Sequence, residues 1–515
     1  MLFRRLAVVS VLLPLAGCAK ESPVDPTTVP ASIVAVTAAT QNGTVGLAVG
    51  TTPTFEVRNA SGDALGSVPV TVAVTSGGGS LTGSPTTTLE GATPIGSWTL
   101  GTVAGAQTVT VTRGSLTPLV FTATAAPGAA TGVAITGGNN QSALAGAAVA
   151  TAVQGSVVDQ FGNPRAGETV SWSITAGGGS LTGATTTVAN GAGLANAPAW
   201  TLGKNGGTQT LRASSGAFQA FAAASIQSAY QLDLRWIGTP PTGATLLAFT
   251  RAVDRIKATI VGSVGPIGIV GFTNISQCAT PGMSAPFSET SITGVIIYAT
   301  IYTDAPGGVL GSAGPCLIRD GAAQFKTALG TMRFDSADLP TLVADGRIDA
   351  VILHEMLHVI GIGTLWDPTS NNLLSGAGTA DSRYIGAQAR AACASQNGGT
   401  TTCATTVPVH STDGPGSADS HWREATFTTE LMTPFIAAGQ TPIVSAMTIA
   451  ALTDIGYTVN LSTKDDFQLG SGLAAVFDGG GGGSSNGQSL LLGTPLKPTF
   501  MVERSGRLKR LRDAK

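Results

Sequence analysis

Charged residues are scarce in this chain of 515 residues: Asp, Glu, Lys and Arg make up 11% of it, and the formal net charge is −2. A nearly neutral chain lacks the electrostatic footprint of a nucleic-acid-binding protein, so we expect no nucleic acid among its partners. The length is too great for a single hydrophobic core. Three or four structural units are therefore expected.

Long apolar runs are also lacking, since no run after the N-terminus has the length and apolarity of a transmembrane helix. Residues 1–18 have the features of a targeting segment: Arg4 and Arg5 precede an apolar stretch. The sequence Leu-Ala-Gly-Cys that ends at Cys18 resembles the lipobox of bacterial lipoproteins. This resemblance implies cleavage before Cys18 and acylation of its thiol, which would anchor the protein in the cell envelope, at an outer membrane or the cell surface. The alternative is an ordinary secretory signal.

Cysteine is rare, and its count is informative. If Cys18 carries a lipid, four cysteines remain, which is an even number. In an oxidising compartment the simplest of the three pairings joins Cys278 to Cys316 and Cys393 to Cys403. A zinc site made of four cysteines is less favoured, because the spacing contains no CxxC pair.

The N-terminal half contains an internal repeat. The sequence GGGSLTG at 77–83 recurs at 177–183, and the WTLG sequences that begin at Trp98 and Trp200 recur at a similar interval. The period is roughly one hundred residues, the size of one β-sandwich, and the segments between glycine-rich turns alternate apolar and polar residues. These repeats resemble bacterial immunoglobulin-like domains of the invasin and intimin type. We expect a spacer or an adhesive role for them, and core positions for both tryptophans.

Histidine is the scarcest chemically informative residue, with only four in the chain, and two of them fall in the HExxH sequence at 354–358. On a helix His354 and His358 project from the same face and can bind one zinc ion. Glu355 is then placed to accept a proton from a zinc-bound water. The surrounding run is apolar nearly all round, which predicts a buried helix. Two histidines and a glutamate are costly to bury without a partner, so they favour a bound metal.

A catalytic zinc site usually has a third protein ligand. Thr364 occupies the position that the compact HExxHxxGxxH motif reserves for it, and threonine is a poor zinc ligand. The remaining histidines are His410 and His421, so the third ligand is expected to follow an insertion of about residues 367–419.

Taken together, HEMLHVIGIG, the long insertion, SHWRE around His421 and ELMTP around Met432 resemble the leishmanolysin family of metallopeptidases. The resemblance covers about residues 228–460. It implies zinc bound by His354, His358 and His421, with Glu355 as the general base and Met432 in a turn beneath the metal. His410 is then a surface residue or a support for a ligand, and it is the alternative third ligand.

The sequence thus predicts two all-β immunoglobulin-like sandwiches followed by an α+β zincin domain of the metzincin type. The expected activity is that of a Zn2+-dependent endopeptidase acting on protein or peptide substrates at the cell surface or in the periplasm. A surface adhesion protein with an inert zincin domain and a zinc hydrolase of cell-wall peptides are the alternatives, and the sequence gives no oligomeric state. The expected segments are a signal peptide at 1–18, a tether at 19–29, sandwiches at 30–126 and 127–226, the catalytic domain at 227–460, and a Gly-rich linker with a C-terminal tail at 461–515.

Overall fold

The computed structural model describes residues 25–303, 310–320, 324–367, 369–396, 399–414, 416–436, 441–469, 490–491 and 494–511. The expected signal peptide with Cys18, much of the tether and the glycine run at 479–483 lie outside the described residues, so those expectations stay predictions. Within the described part no helix has the length and apolarity needed to cross a membrane. Two compact units make up the chain. The first runs to Gly132 and includes Val157–Gly167 and Asn190–Gly193, and the second contains the rest.

The first repeat folds as a β-sandwich because its strands alternate buried apolar and exposed polar residues. Its sheets have the strand orders β1-β3-β6 and β2-β9-β8-β4, with β5 and β7 forming a separate pair. Phe55, Trp98, Val109 and Phe121 lie in its core. The strands are β1 (Ser32–Ala35), β2 (Thr40–Thr44), β3 (Thr54–Arg58), β4 (Thr71–Ser76), β5 (Ser80–Thr82), β6 (Thr93–Pro94), β7 (Ser97–Thr99), β8 (Gly105–Thr112) and β9 (Leu119–Ala126).

The second repeat has the same type of architecture, with sheets β10-β12-β16 and β11-β19-β18-β13-β15 and the pair β14-β17. Trp172 and Trp200 are buried, as is Trp98 in the first repeat, so the expected core positions of Trp98 and Trp200 are confirmed. The strands are β10 (Ala130–Gly137), β11 (Gln141–Ala143), β12 (Gln154–Asp159), β13 (Thr169–Ala176), β14 (Gly179–Thr182), β15 (Thr186–Val188), β16 (Leu194–Asn196), β17 (Ala199–Leu202), β18 (Thr208–Ser215) and β19 (Phe218–Ile226).

A buried glutamine explains why the two repeated motifs occur together. The Gln107 side chain accepts a hydrogen bond from Gly101 N at 2.7 Å, and Gln209 accepts one from Gly203 N at 2.9 Å. Both glutamines are fully buried beneath the glycine-rich loop of their own repeat. A buried amide has to be hydrogen-bonded, so each repeat pairs its glutamine with the backbone that follows WTL.

The C-terminal part is built on a seven-stranded mixed sheet with the order β20-β23-β25-β24-β32-β33, in which β31 also pairs with β24. Strands β20, β23 and β25 are parallel, and β24 runs antiparallel to β25. The strands of this part are β20 (Leu232–Trp236), β21 (Ile267–Gly268), β22 (Ser291–Ile292), β23 (Val295–Tyr302), β24 (Gly311–Arg319), β25 (Lys326–Asp335), β26 (Leu374–Ser375), β27 (Arg383–Tyr384), β28 (Val407–Pro408), β29 (Phe435–Ile436), β30 (Leu490–Leu491), β31 (Thr494–Pro495), β32 (Phe500–Val502) and β33 (Leu508–Arg510).

One helix, α3, packs against β24 and β25 and carries the HExxH sequence. It is buried on nearly every side, as its apolar composition predicts, and its partners include α1. Strand β20, helix α1, strands β23 to β25 and the buried helix α3 follow one another along the chain. The helices are α1 (Gly243–Thr259), α2 (Leu339–Ala344), α3 (Ile348–Ile360), α4 (Ala387–Ala394), α5 (Gly399–Thr402), α6 (Glu424–Phe427) and α7 (Ala446–Asp454).

The C-terminal tail returns to this sheet, whereas the sequence alone does not decide between a docked strand and a disordered end. Strand β32 pairs in parallel with β24, and β33 pairs with β32. Val502 is fully buried against a cluster that includes Leu317. The apolar residues of the tail therefore complete a core, rather than forming a disordered end.

Two disulfides join the expected cysteines. Cys278 is bonded to Cys316 of β24, and Cys393 of α4 is bonded to Cys403. The first ties the segment before β22 to the sheet, and the second closes a short loop within the insertion. Both bonds restrict the unfolded chain more than the folded one.

Candidate metal centre

The C-terminal end of α3 is held in place by donors from three other parts of the domain. Thr364 Oγ1 donates to His358 O at 2.6 Å, Thr327 Oγ1 to Val359 O at 2.7 Å, and Tyr457 Oη to Ile360 O at 3.1 Å. The last carbonyls of a helix have no partner within it, so these bonds satisfy groups that would otherwise be orphaned. They fix the turn of helix from which His354 and His358 project.

A glycine after the helix makes room for the third histidine. Gly363 has a φ of +75°, and a Cβ placed on it would lie 2.0 Å from Ser420 O. Any other residue would push the Ser420 backbone away. The loop that ends in His421 therefore approaches α3 closely only because position 363 has no side chain.

An aromatic cluster supports this loop from the other side. Trp422, next to the histidine, packs against Trp366 and Tyr384, with ring centroids 4.5 and 5.2 Å away. Its indole nitrogen donates to Thr448 Oγ1 of α7 at 2.8 Å. A buried tryptophan with its N–H satisfied is a rigid anchor. His421 is thus positioned by packing as well as by backbone contact.

Each of the three histidines has its Nδ1 next to a backbone carbonyl. Nδ1 of His354 lies 2.7 Å from Leu431 O, that of His358 lies 2.8 Å from Ile362 O, and that of His421 lies 3.0 Å from Ser417 O. A carbonyl only accepts, so each Nδ1 carries the proton and each Nε2 keeps a lone pair. Second partners of this kind orient metal-binding imidazoles.

The three Nε2 atoms converge on one point. They are 3.0 Å apart for His354 and His358, 3.1 Å for His358 and His421, and 3.2 Å for His354 and His421. Three nitrogens at the usual zinc–nitrogen distance in a tetrahedral site would be about 3.3 Å apart. Three lone pairs that face one another in a buried space repel unless a cation lies between them, so the arrangement fits zinc.

Burial keeps these imidazoles neutral. It lowers the pKa of His354 to about 4, and it lowers the pKa values of His358 and His421 well below the usual range. Neutral imidazole is the form that binds a metal. The charge state that the site requires is therefore the one that its surroundings impose.

Glu355 is fully buried, and neither of its carboxylate oxygens has a hydrogen-bond partner among the described residues. Burial raises its pKa well above the usual range. Unpartnered buried carboxylates are costly and rare. Adjacent to His354 on the helix, Glu355 has free oxygens for a group that is not part of the chain.

The turn around Met432 is fixed by a second buried carboxylate. Glu430 Oε2 accepts from Met432 N at 2.6 Å, and Oε1 accepts from Ser445 N at 3.1 Å, from Ser445 Oγ at 2.7 Å and from Thr448 Oγ1. Met432 itself is completely buried. Its carbonyl accepts from Trp422 N at 2.9 Å, which joins this turn to the loop that carries His421.

Comparison with known proteins places this part of the chain in a family. Residues 270–477 match the family model for leishmanolysin, peptidase M8. This segment is a leishmanolysin domain. The family consists of zinc-dependent metallopeptidases, which agrees with the cluster of His354, His358 and His421.

The N-terminal half resembles solved structures of bacterial surface proteins, at low sequence identity and low TM-score. The D00-D0 domains of intimin are 18% identical, cover 38% of this chain and 98% of theirs, and superpose with a TM-score of 0.24. The Escherichia coli adhesin FdeC is 18% identical over 42% of this chain and 72% of its own, with a TM-score of 0.26. Invasin, a bacterial integrin-binding protein, is 17% identical over 38% of this chain and 39% of its own, with a TM-score of 0.20. The sandwich fold of this half rests on its own strand order, and no curated protein matches the chain.

His410, the alternative third ligand, lies outside the cluster of His354, His358 and His421. The ring of His410 contacts Asp413 Oδ2 at 2.7 Å, and its backbone N donates to His421 O at 2.9 Å, so it supports the third histidine from behind. Sequence reasoning assigned no role to Trp366, Tyr384 or Trp422. Their aromatic character is the only signal in the sequence, and it does not reveal which of them meet.

Proposed function

We propose that this protein is a zinc-dependent endopeptidase that hydrolyses internal bonds of protein or peptide substrates. The observation that carries the proposal is the convergence of three Nε2 lone pairs, together with the buried, unpartnered carboxylate of Glu355 on the helix that carries two of the histidines. The leishmanolysin family model supports a metallopeptidase. An inert zincin domain would not need to maintain a costly buried set of this kind.

His354, His358 and His421 would hold the metal through Nε2, with Nδ1 protonated and directed at carbonyls. When bound, zinc supplies a Lewis acid for the scissile carbonyl and lowers the pKa of water towards about 7. Glu355 accepts a proton from the attacking water at one carboxylate oxygen and donates it to the leaving amine. The buried surroundings strengthen each of these electrostatic interactions.

The test is the substitution Glu355→Gln, which keeps the shape of the side chain and removes its ability to accept the proton. We expect the variant to retain one zinc per chain and to lose activity on a generic protein substrate by at least about a hundredfold. Glu289→Gln is the matched control, since Glu289 is a partly exposed partner of Arg235. A zinc-loaded Glu355→Gln variant that cleaves casein at the wild-type rate would show that the base is misassigned.

We further propose that the activity is located in the cell envelope through a lipid on Cys18. The proposal rests on the lipobox-like sequence alone. Incorporation of a labelled fatty acid in a bacterial host, with Cys18→Ser as the control, tests it. Label in the variant equal to that in the wild type would refute it.

A further inference from the structure

The metal centre is sealed from solvent. His354, Glu355, His358 and His421 are each 0% exposed. An endopeptidase has to admit an extended chain to its reacting groups, so a sealed site needs a cover that can be removed.

Strand β24 would be an edge of the sheet without the C-terminal tail, because β20, β23 and β25 all lie on its other side. Ser312 and Ala313 of this edge are paired in parallel with Thr494 and Pro495, and Leu496 N donates to Ala313 O at 2.7 Å. A free edge strand is where an extended peptide adds to a sheet. The tail therefore occupies the surface on which a peptide substrate could pair.

The same short segment contacts the other walls of the site. Lys497 Nζ lies 3.2 Å from Asp367 Oδ2, just beyond the α3 helix and its following turn. On the loop before His421, a Cβ on Gly416 would lie 3.2 Å from Thr494 Oγ1. Strand β30 pairs with β29, which follows the Met432 turn. Residues 490–491 and 494–497 thus contact the sheet edge at β24, the segment after α3 at Asp367, the loop before His421 at Gly416, and strand β29 after the Met432 turn.

The fit between the tail and β24 depends on a missing side chain. A Cβ on Gly314 would lie 2.0 Å from Leu496 O, so any larger residue there would displace the tail. Pro495 and Pro498 flank Leu496 and Lys497 and restrict the backbone, which lowers the entropy cost of holding the segment extended. The glycine in β24 therefore leaves room for the tail, and the two prolines favour the extended backbone with which the tail lies there.

Apart from the buried Pro495, residues 494–497 are only partly buried or exposed, and the main anchor of the tail lies beyond them. Val502 of β32 is fully buried in the core on the sheet, whereas Lys497 is exposed and its ion pair with Asp367 is partly open to water. An exposed ion pair contributes little. Residues 494–497 can therefore leave the groove while β32 stays in place.

We infer that Thr494–Lys497 is an internal ligand of the substrate groove, which keeps the leishmanolysin domain latent until the segment moves out. The latency part of this inference rests on the proposed function. The occupancy part concerns only the chain and its metal centre. What it adds is the resident occupant, this chain's own tail, which lies extended along β24 next to the His421 loop.

The test compares Leu496→Pro with Leu496→Ala in the full-length zinc-loaded protein. Proline removes the N–H that bonds to Ala313 O, and alanine keeps it. We expect Leu496→Pro to lose zinc to a chromogenic chelator about fivefold faster or more, which is the equivalent of one backbone hydrogen bond. Casein hydrolysis should rise by a similar factor, and Leu496→Ala, which keeps the N–H, should change both quantities less than Leu496→Pro does.

Gly314→Ala is the second variant, in case Leu496→Pro does not fold. It displaces Leu496 from the opposite side without altering the tail, and Lys509→Ala on β33 is its surface control. Faster zinc loss without any proteolysis would support the occupied groove and would count against the proposed endopeptidase. Wild-type zinc exchange in a folded Leu496→Pro or Gly314→Ala variant would overturn the inference.

Discussion

Replacing Gly363 by alanine should uncouple the third histidine from the other two. A Cβ at this position would lie 2.0 Å from Ser420 O and 2.8 Å from Ser420 C. Real Cβ contacts are not shorter than 3.0 Å, so the Ser420 backbone has to move by at least about 1 Å. His421 is the next residue, and its Nε2 moves with the backbone.

The loss of zinc affinity can be estimated from how little zinc–ligand distances vary in metal sites. Zinc–ligand distances are kept within about 0.2 Å, so a displacement of about 1 Å removes a ligand or strains the protein to retain it. Disturbing the supports of metal ligands typically costs 10- to 100-fold in affinity, or about 1.4–2.7 kcal/mol. We expect at least this loss for Gly363→Ala, since the change acts directly on the backbone that carries the ligand.

A matched control separates the clash from backbone strain. Gly346 has the same φ of +75° as Gly363, and a Cβ there meets no atom within 4 Å. Gly346→Ala should therefore cost about 1 kcal/mol of stability and leave zinc affinity unchanged. Competition with a chelator gives the affinities, and thermal unfolding without metal gives the stabilities. A Gly363→Ala variant that binds zinc as tightly as Gly346→Ala would refute the reasoning.

Two further predictions concern other residues. His421→Ala should lower zinc content sharply, while His410→Ala should leave it near one per chain, as measured by atomic absorption; the reverse result would move the third ligand to His410. Burial raises the pKa of Asp159, but hydrogen bonds from Asn163, Gly128 and Phe161 outweigh it and hold the pKa at about 2. Because this folded-state pKa lies below that of the unfolded chain, the carboxylate should contribute about 1–2 kcal/mol above pH 4 and lose it as the pH falls towards 2. Asp159→Asn should therefore differ from the wild type in melting temperature at pH 6 and converge with it at low pH, and a constant difference would contradict the assignment.

The sequence predicted the parts of the fold that local patterns determine. The apolar run at 349–360 predicts a buried helix, and α3 forms at Ile348–Ile360 with most of its residues buried. The fold class of two sandwiches followed by an α+β domain with a leishmanolysin segment is confirmed. Within the insertion, the sequence at 382–393 predicts a short helix, but the helix begins only at Ala387 and ends at Ala394, because Arg383 and Tyr384 pair in β27 instead.

Contacts between distant segments were beyond the reach of pattern reasoning. The tail strands β31 and β32 follow a stretch without periodicity, and their partner β24 lies almost two hundred residues earlier in the chain. Register across such a distance is set by packing of residues such as Val502, which no local pattern reveals. The close approach of Gly363 to Ser420 is hidden in the same way, since glycine there also fits a simple helix stop.

The three histidines of the candidate metal centre come from two separate places in the sequence, yet the domain holds them as one rigid set. His354 Nδ1 contacts Leu431 O, and Trp422 N donates to Met432 O, so the Met432 turn is bonded both to the helix and to the His421 loop. The Met432 turn depends on Glu430, whose buried carboxylate accepts hydrogen bonds from backbone N–H groups and hydroxyl groups. Among the described residues, no cationic side chain contacts this carboxylate. A buried charge satisfied in this way is sensitive to the loss of any single donor. The role of the turn is therefore to transmit the position of α3 to the remote histidine, which makes the geometry of the metal centre a property of the whole domain and not of the HExxH sequence alone.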